Sequence, residues 1–281
     1  EFRRVLFRSW PTAQGCLPVV VLRRPGPAIL AARLVIRGGS GADPTGQCGA
    51  HQLLAGLMTR GCGDLDATGL AELVEGAGAA LRAEAHEDAL VIGLKCAAGD
   101  VDELLPLLPA MARRPRLEAD QLDLERQLNL QTLQRQREDP FQVAHDLLRH
   151  QLYGSGPYGH DPLGVESDLE GLDAARLQPL ARDLGSQGAV LVLCGDAPER
   201  VLELIDAGLE QPWPTALPAA PRELERLASA AAAPSLTQQE EDTEQLVLML
   251  GCATVPLGHA DALSLRLLQA HLGLGMSCRL F

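Results

Sequence analysis

The spacing of apolar positions changes period several times along the chain. Two β-rich runs, LPVVVLRRP (17–25) and AILAARLVIRGG (28–39), flank Pro25-Gly26-Pro27 and read as adjacent strands joined by a turn. The loop GGSGADPTGQCG leads into a short amphipathic helix over 49–60, GAHQLLAGLMTRG ending at a glycine. A second helix is expected over 66–77, with Asp66 or Thr68 as its N-cap. AALRAEAHED and DALVIGLKCAA form a strand pair with Glu87 and Asp88 near the turn. DVDELLPLLPAMARRP has helical spacing broken by Pro106 and Pro109.

A long polar helix over 118–138 stops before Pro140, which opens the next helix, 140–152. The Gly/Pro-rich stretch 152–167 is a loop. A helix over 173–184, a buried strand GAVLVLCGD (188–196) and a helix over 198–209 come next. From 211 to 239 the composition shifts to Pro, Ala, Ser and Glu, as in an interdomain linker. EQLVLMLGCATV (244–255) then reads as a strand and HADALSLRLLQAHLG (259–273) as a helix.

The expected fold class is α+β: a mainly antiparallel sheet with helices on one face over residues 10–210, a linker over 211–239, and the start of a second similar unit over 240–281. A 40-residue tail of that kind could not bury its own apolar face, so the chain reads as cut short within the second unit. The opening EFRRVLFRS differs sharply in composition from the residues after it, and residues 1–9 are expected to be an assembly scar outside the fold.

Charge and composition narrow the function. The 281 residues carry a net charge of −13, which argues against a nucleic-acid partner. Aromatic residues are only 3%, so Leu, Ala and Val must build the core. Seven irregularly spaced cysteines read as reduced thiols used as small hydrophobes. No apolar run approaches the ~20 residues of a membrane span. The cytoplasm is the default location.

Four strings carry a resemblance: RGGSGADPTGQCGAHQLLAGLMTRG, ERQLNLQTLQRQREDP, YGSGPYGHDPLGVESDLEGL and GLGMSCRLF. Together they resemble the pitrilysin/insulinase family of zinc metallopeptidases, of inverzincin type, which includes the mitochondrial processing peptidases. The resemblance spans about residues 17–281. It implies H-x-x-E-H on the first helix and a glutamate ligand roughly 75 residues later. Two histidines at i and i+4 reach one zinc, and the glutamate between them serves as general base on the bound water.

Carried over residue by residue, His51 matches the first histidine. Leu54 stands at the general base, Ala55 at the second histidine and Thr132 at the third ligand, while Glu125 matches a supporting glutamate. One ligand of three remains, and zinc, present in active relatives, is not expected here. On the residues alone, His51 also reads as a core or cap histidine and Glu125 as a solvated helix residue. Cys48 and Cys62, flanking His51, are alternative ligands of a new site. The Gly-rich loop lacks a following Lys-Ser/Thr and is no phosphate loop.

The resemblance implies three alternative functions. One is a non-catalytic pseudo-peptidase, the inactive subunit of a heterodimeric peptidase that helps bind peptide by strand addition. The second is a scaffold subunit like the core proteins related to processing peptidases. The third is an active zinc peptidase using unrecognised ligands. The expected partners are a catalytic pitrilysin-like subunit and peptide, with neither nucleic acid nor membrane.

Overall fold

The computed structural model describes residues 6–12, 15–24, 26–209, 213–214, 235–240 and 244–279. Its centre is a six-stranded sheet: β1 (Leu6–Thr12), β2 (Gly15–Arg23), β3 (Ile29–Arg37), β4 (Ala80–Ala85), β5 (Ala89–Ala97) and β6 (Ala189–Gly195), in the order β1-β2-β6-β3-β5-β4. Only β2 and β6 pair in parallel; every other neighbour is antiparallel. The α+β class and the mainly antiparallel sheet are as expected.

Strand periodicity decides which face the helices cover. In β3, Leu30, Ala32, Leu34 and Ile36 are buried, and the residues between them face outward. The register lines up Val19, Leu191, Leu34, Ile92 and Ala83 in one row across five strands. Against this face lie α1 (Ala50–Met58), α2 (Ala67–Gly76), α3 (Val101–Leu104) and α4 (Leu107–Arg113). Outside them run α5 (Ala119–Arg137), α6 (Pro140–Tyr153), α7 (Glu166–Glu170) and α8 (Ala174–Asp183), and α9 (Val201–Leu209) packs on α4. Asp66 caps α2 by accepting from the Gly69 amide, and Asp139 and Asp173 cap α6 and α8 in the same way. Pro106 breaks the apolar helix into α3 and α4, as expected, whereas Pro109 lies in the first turn of α4, where no intrahelical amide bond is lost, and does not break it.

Four expectations need correction. First, β2 and β3 are not neighbours, because β6 lies between them. The 24–28 connection must step over one strand, about 10 Å, which five residues can span. Strand β6 arrives some 150 residues later in sequence, so no local pattern reveals the insertion. Second, residues 6–9 of that opening stretch belong to the sheet: Leu6–Thr12 pairs with β2 along its edge, while residues 1–5 lie outside the described residues. Third, residues 244–255 form no strand; Leu246, Leu248 and Leu250 lie exposed, and no strand runs beside them among the described residues. An extended segment becomes a strand only when an edge accepts its backbone groups. Fourth, Trp213, expected in the linker, is buried in the core and packs on Gly185, where an added Cβ would stand 2.8 Å from the indole.

The remaining linker, 215–234, lies outside the described residues. The expected late helix is present as α10 (Ala262–Gly273), with Leu263 and Leu267 exposed. No described helix is long and apolar enough to cross a membrane.

The one-sided core gives a direct test. Leu34→Ala, in the centre of the buried row, should lower unfolding free energy by about 2–5 kcal/mol in urea titrations. Val192→Ala, on the uncovered face, should cost less than about 1 kcal/mol.

Candidate functional site

Helix α1 starts at Gly49, whose φ of 103° suits glycine alone at low strain. Gly49 cannot cap with a side chain, and Asp43 does so from the preceding loop. Its Oδ2 accepts from the Gly49 amide at 2.7 Å and its Oδ1 from the His51 amide at 2.9 Å. Oδ1 also receives the His51 Nδ1 proton at 2.7 Å. The carboxylate is fully buried and sits at the positive end of the helix dipole. With Nδ1 donating, Nε2 is left as an acceptor, and a Cβ at Gly38 would stand 3.9 Å from it.

His51 is therefore a core histidine tied to the helix start, with 4% of its surface exposed. Leu54 and Ala55, one turn on, are fully buried in the main core beneath the sheet. Leu53 and Leu57, on another side of α1, join a second cluster with Leu122, Leu169, Leu172 and Leu177. Thr132 is exposed on α5, and its hydroxyl donates to the Leu128 carbonyl of its own helix at 2.8 Å.

Glu125 is not a solvated helix residue: it is buried and bonds Arg60 Nε at 2.6 Å. It lies over Gly56, where a Cβ would meet its Oε2 at 2.4 Å. The missing side chain at Gly56 thus admits the ion pair that ties the end of α1 to α5. Arg126 donates to the carbonyls of Leu169 and Leu172 and holds α7 on the same helix.

The loop between α6 and α7 closes over the start of α1. Gly164 touches the Cys48–Gly49 backbone so closely that a Cβ there would stand 2.5 Å from the Cys48 carbonyl oxygen. Tyr158 donates to Asp88 at 2.6 Å and so reaches the β4–β5 turn. Burial, with Asp88 as acceptor, pushes the phenol up to about 12. The Cys48 amide bonds Asp168 at 2.9 Å. Burial first, then Asp168, pushes the Cys48 thiol up to about 11. Cys62 lies beyond the other end of α1, and burial raises its thiol as well. The nine-residue helix between them is ~13 Å long, which places the two cysteines at opposite ends of α1 rather than around one ion. Among the described residues, no three His, Cys, Asp or Glu side chains stand together as a metal would need.

The family described as Insulinase (Peptidase family M16) matches residues 19–164, just over half of the chain. The chain belongs to the insulinase family. It is 24% identical over 239 residues to an uncharacterized zinc protease of Streptomyces coelicolor, covering 83% of this chain and 52% of that one. It is 25% identical over 164 residues to the non-peptidase homolog YmxG of Helicobacter pylori, covering 58% and 38%. The fold matches a crystal structure of a peptidase M16 inactive domain from Pseudomonas fluorescens at a TM-score of 0.66 and 23% identity, over 76% of this chain and 52% of that one. The chain spans about half the length of the curated relatives it matches, or less.

The residues of this insulinase-family chain do not fit a zinc ion. A three-ligand site needs a donor at the position aligned with Ala55, which supplies only a methyl group to a packed core, and Leu54 puts an alkyl group where the general base would stand. His51 offers one nitrogen, and the Thr132 hydroxyl is spent on its own helix. Asp43, Arg60 and Asp168 organise this region without a signal in the sequence. Asp43 lies in a loop that reads only as Gly/Asp/Pro, and the other two reach their partners across the fold.

Two measurements check this geometry. Asp43→Ala leaves two buried amides and His51 without an acceptor and should cost roughly 2–4 kcal/mol in urea unfolding. At about pH 9, peptide-resolved mass spectrometry should show Cys48 alkylated by iodoacetamide at least tenfold more slowly than exposed Cys252, because only about 1% of Cys48 is thiolate there.

Proposed function

We propose that this chain is a non-catalytic insulinase-family subunit that pairs with a catalytic relative and helps hold its peptide substrate. The observation that carries the reading is the burial of Leu54 and Ala55 in the core, at the positions aligned with the general base and second histidine. A packed alkyl pair leaves no room for a metal-bound water and supplies no base to activate one. The similarity to a non-peptidase homolog and to an inactive domain supports it.

The peptide-holding part of the proposal draws on β4. It is the last strand of the sheet, so one edge carries no described neighbour. An extended peptide gains affinity by adding to such an edge through main-chain hydrogen bonds. The same reading keeps 10–210 as the body of one unit, extended by the edge strand Leu6–Thr12 and by Trp213, with the rest of 211–239 as a linker and 240–281 as the opening of a second. The exposed leucines of α10 and of 246–250 support that division, since they have no cover among the described residues.

The test pairs chemistry with assembly. Purified chain should take up no stoichiometric zinc in calorimetry and should not cleave an unstructured fluorogenic peptide. Mixed with an insulinase-family chain that carries intact H-x-x-E-H, it should form a complex by light scattering and raise peptide cleavage. Hydrogen exchange in that complex should show new protection of β4 amides when an uncleavable peptide is added. Stoichiometric zinc with chelator-sensitive cleavage by this chain alone would sink the proposal.

A further inference from the structure

A cavity of about 270 Å3 lies between the second half of α5, the middle of α6 and the loop that leads into α7. No residue aligned with the lost zinc site lines it. Leu133, Val143 and Val165 make its apolar wall, and Asp146, Arg149 and Asp161 stand beside them. At this size it suits a single residue or short alkyl chain rather than the ligands of typical ~300–1,000 Å3 pockets.

The charges in the wall are not balanced. Arg137 and Glu166 pair at 2.7 Å and neutralise one another. Arg149 then faces both Asp146 and Asp161, but its short bonds go elsewhere. It donates to the His160 carbonyl at 2.7 Å and to His145 Nδ1 at 3.3 Å. Its nitrogens stay 3.7 Å from Asp161 and 3.9 Å from Asp146, beyond hydrogen-bond reach. One guanidinium thus serves two carboxylates, each with acceptor capacity left over. Asp146 takes one amide bond from Gln142, and Asp161 one from the Leu163 backbone. Burial, with the nearby Asp161 adding to it, holds the Asp146 carboxyl above the usual carboxylate range. A cation entering the cavity would offset the repulsion between the two carboxylates.

We propose that this cavity binds a primary ammonium carried on a short apolar stem. The ammonium offers three donors to Asp146 and Asp161, and the stem lies on Leu133, Val143 and Val165. A guanidinium would duplicate Arg149, and an anion would meet the excess carboxylate. The stem and charge describe either the amino-terminal residue of a peptide or a lysine side chain. The proposal is independent of the non-catalytic reading above, since neither the lost zinc site nor a second subunit enters it.

Titration of the whole chain with small probes, followed by NMR or calorimetry, tests it. Leucinamide represents an amino terminus, Nα-acetyl-lysine methylamide a side chain, and N-acetyl-leucinamide the same stem without charge. At least one of the first two should bind, and which one does tells the sources apart. Asp146→Asn and Asp161→Asn should each weaken that probe by about tenfold while keeping parental circular dichroism and thermal unfolding. If one single variant unfolds early, the other carries the test, together with the comparison of charged and neutral probes on the parent chain. The proposal is overturned if neither ammonium probe binds, if the neutral probe binds as well, or if folded variants bind like the parent.

Discussion

Helix α1 is buried on two sides at once, and the rest of the architecture is arranged around that constraint. Leu54, Ala55 and Met58 fill the core beneath the sheet, and Ala50, Leu53 and Leu57 fill a smaller cluster under α5, α7 and α8. A nine-residue helix with so little polar surface cannot stand alone. It is held at its start by the buried Asp43 carboxylate and near its end by the Arg60–Glu125 pair. Between those ties, Gly49 and Gly56 let the neighbouring loop and helix come within contact of the backbone.

That burial has a chemical consequence. A metal site on α1 would need charged or polar groups one turn into the helix, where the sheet-side core is packed. The alkyl side chains there gain from exclusion of water, at about 25 cal/mol per Å2 of apolar area removed from water. An isolated ionised carboxylate in the same place would carry a large desolvation cost unless a metal or cation compensated it. Fold stability and zinc chemistry therefore pull this helix in opposite directions. His51 sits where both can be served, because its Nδ1 and its amide are already spent on Asp43.

The insulinase-family fold is thus compatible with α1 and α5 carrying no cluster of metal-binding side chains among the described residues. The sheet, the wedge helix and the long α5 pack together, and the Arg60–Glu125 ion pair ties two of these helices. The polar groups that remain unbalanced lie away from α1. They gather on α6 and the following loop, where Asp146 and Asp161 share one guanidinium beside an apolar wall. This loop also reaches the β4–β5 turn through Tyr158, so one segment borders the cavity, the start of α1 and the free-edged hairpin.

By itself, the sequence determined the local elements: the cap at Asp66, the break at Pro106, the one-sided strands and the α+β class. These arise from periodicities and caps that act within a few residues. It also carried the family resemblance and the alkyl pair at 54 and 55, because both lie in short contiguous strings. Only the tertiary structure decided that β6 separates β2 from β3, that Leu6–Thr12 joins the sheet edge and that Trp213 belongs to the core. It alone showed 244–255 without a strand, buried Glu125 and brought Asp43 to His51 and Asp146 towards Asp161. Each of those outcomes depends on which distant backbone edge or side chain arrives as a partner, and no local period encodes that arrival.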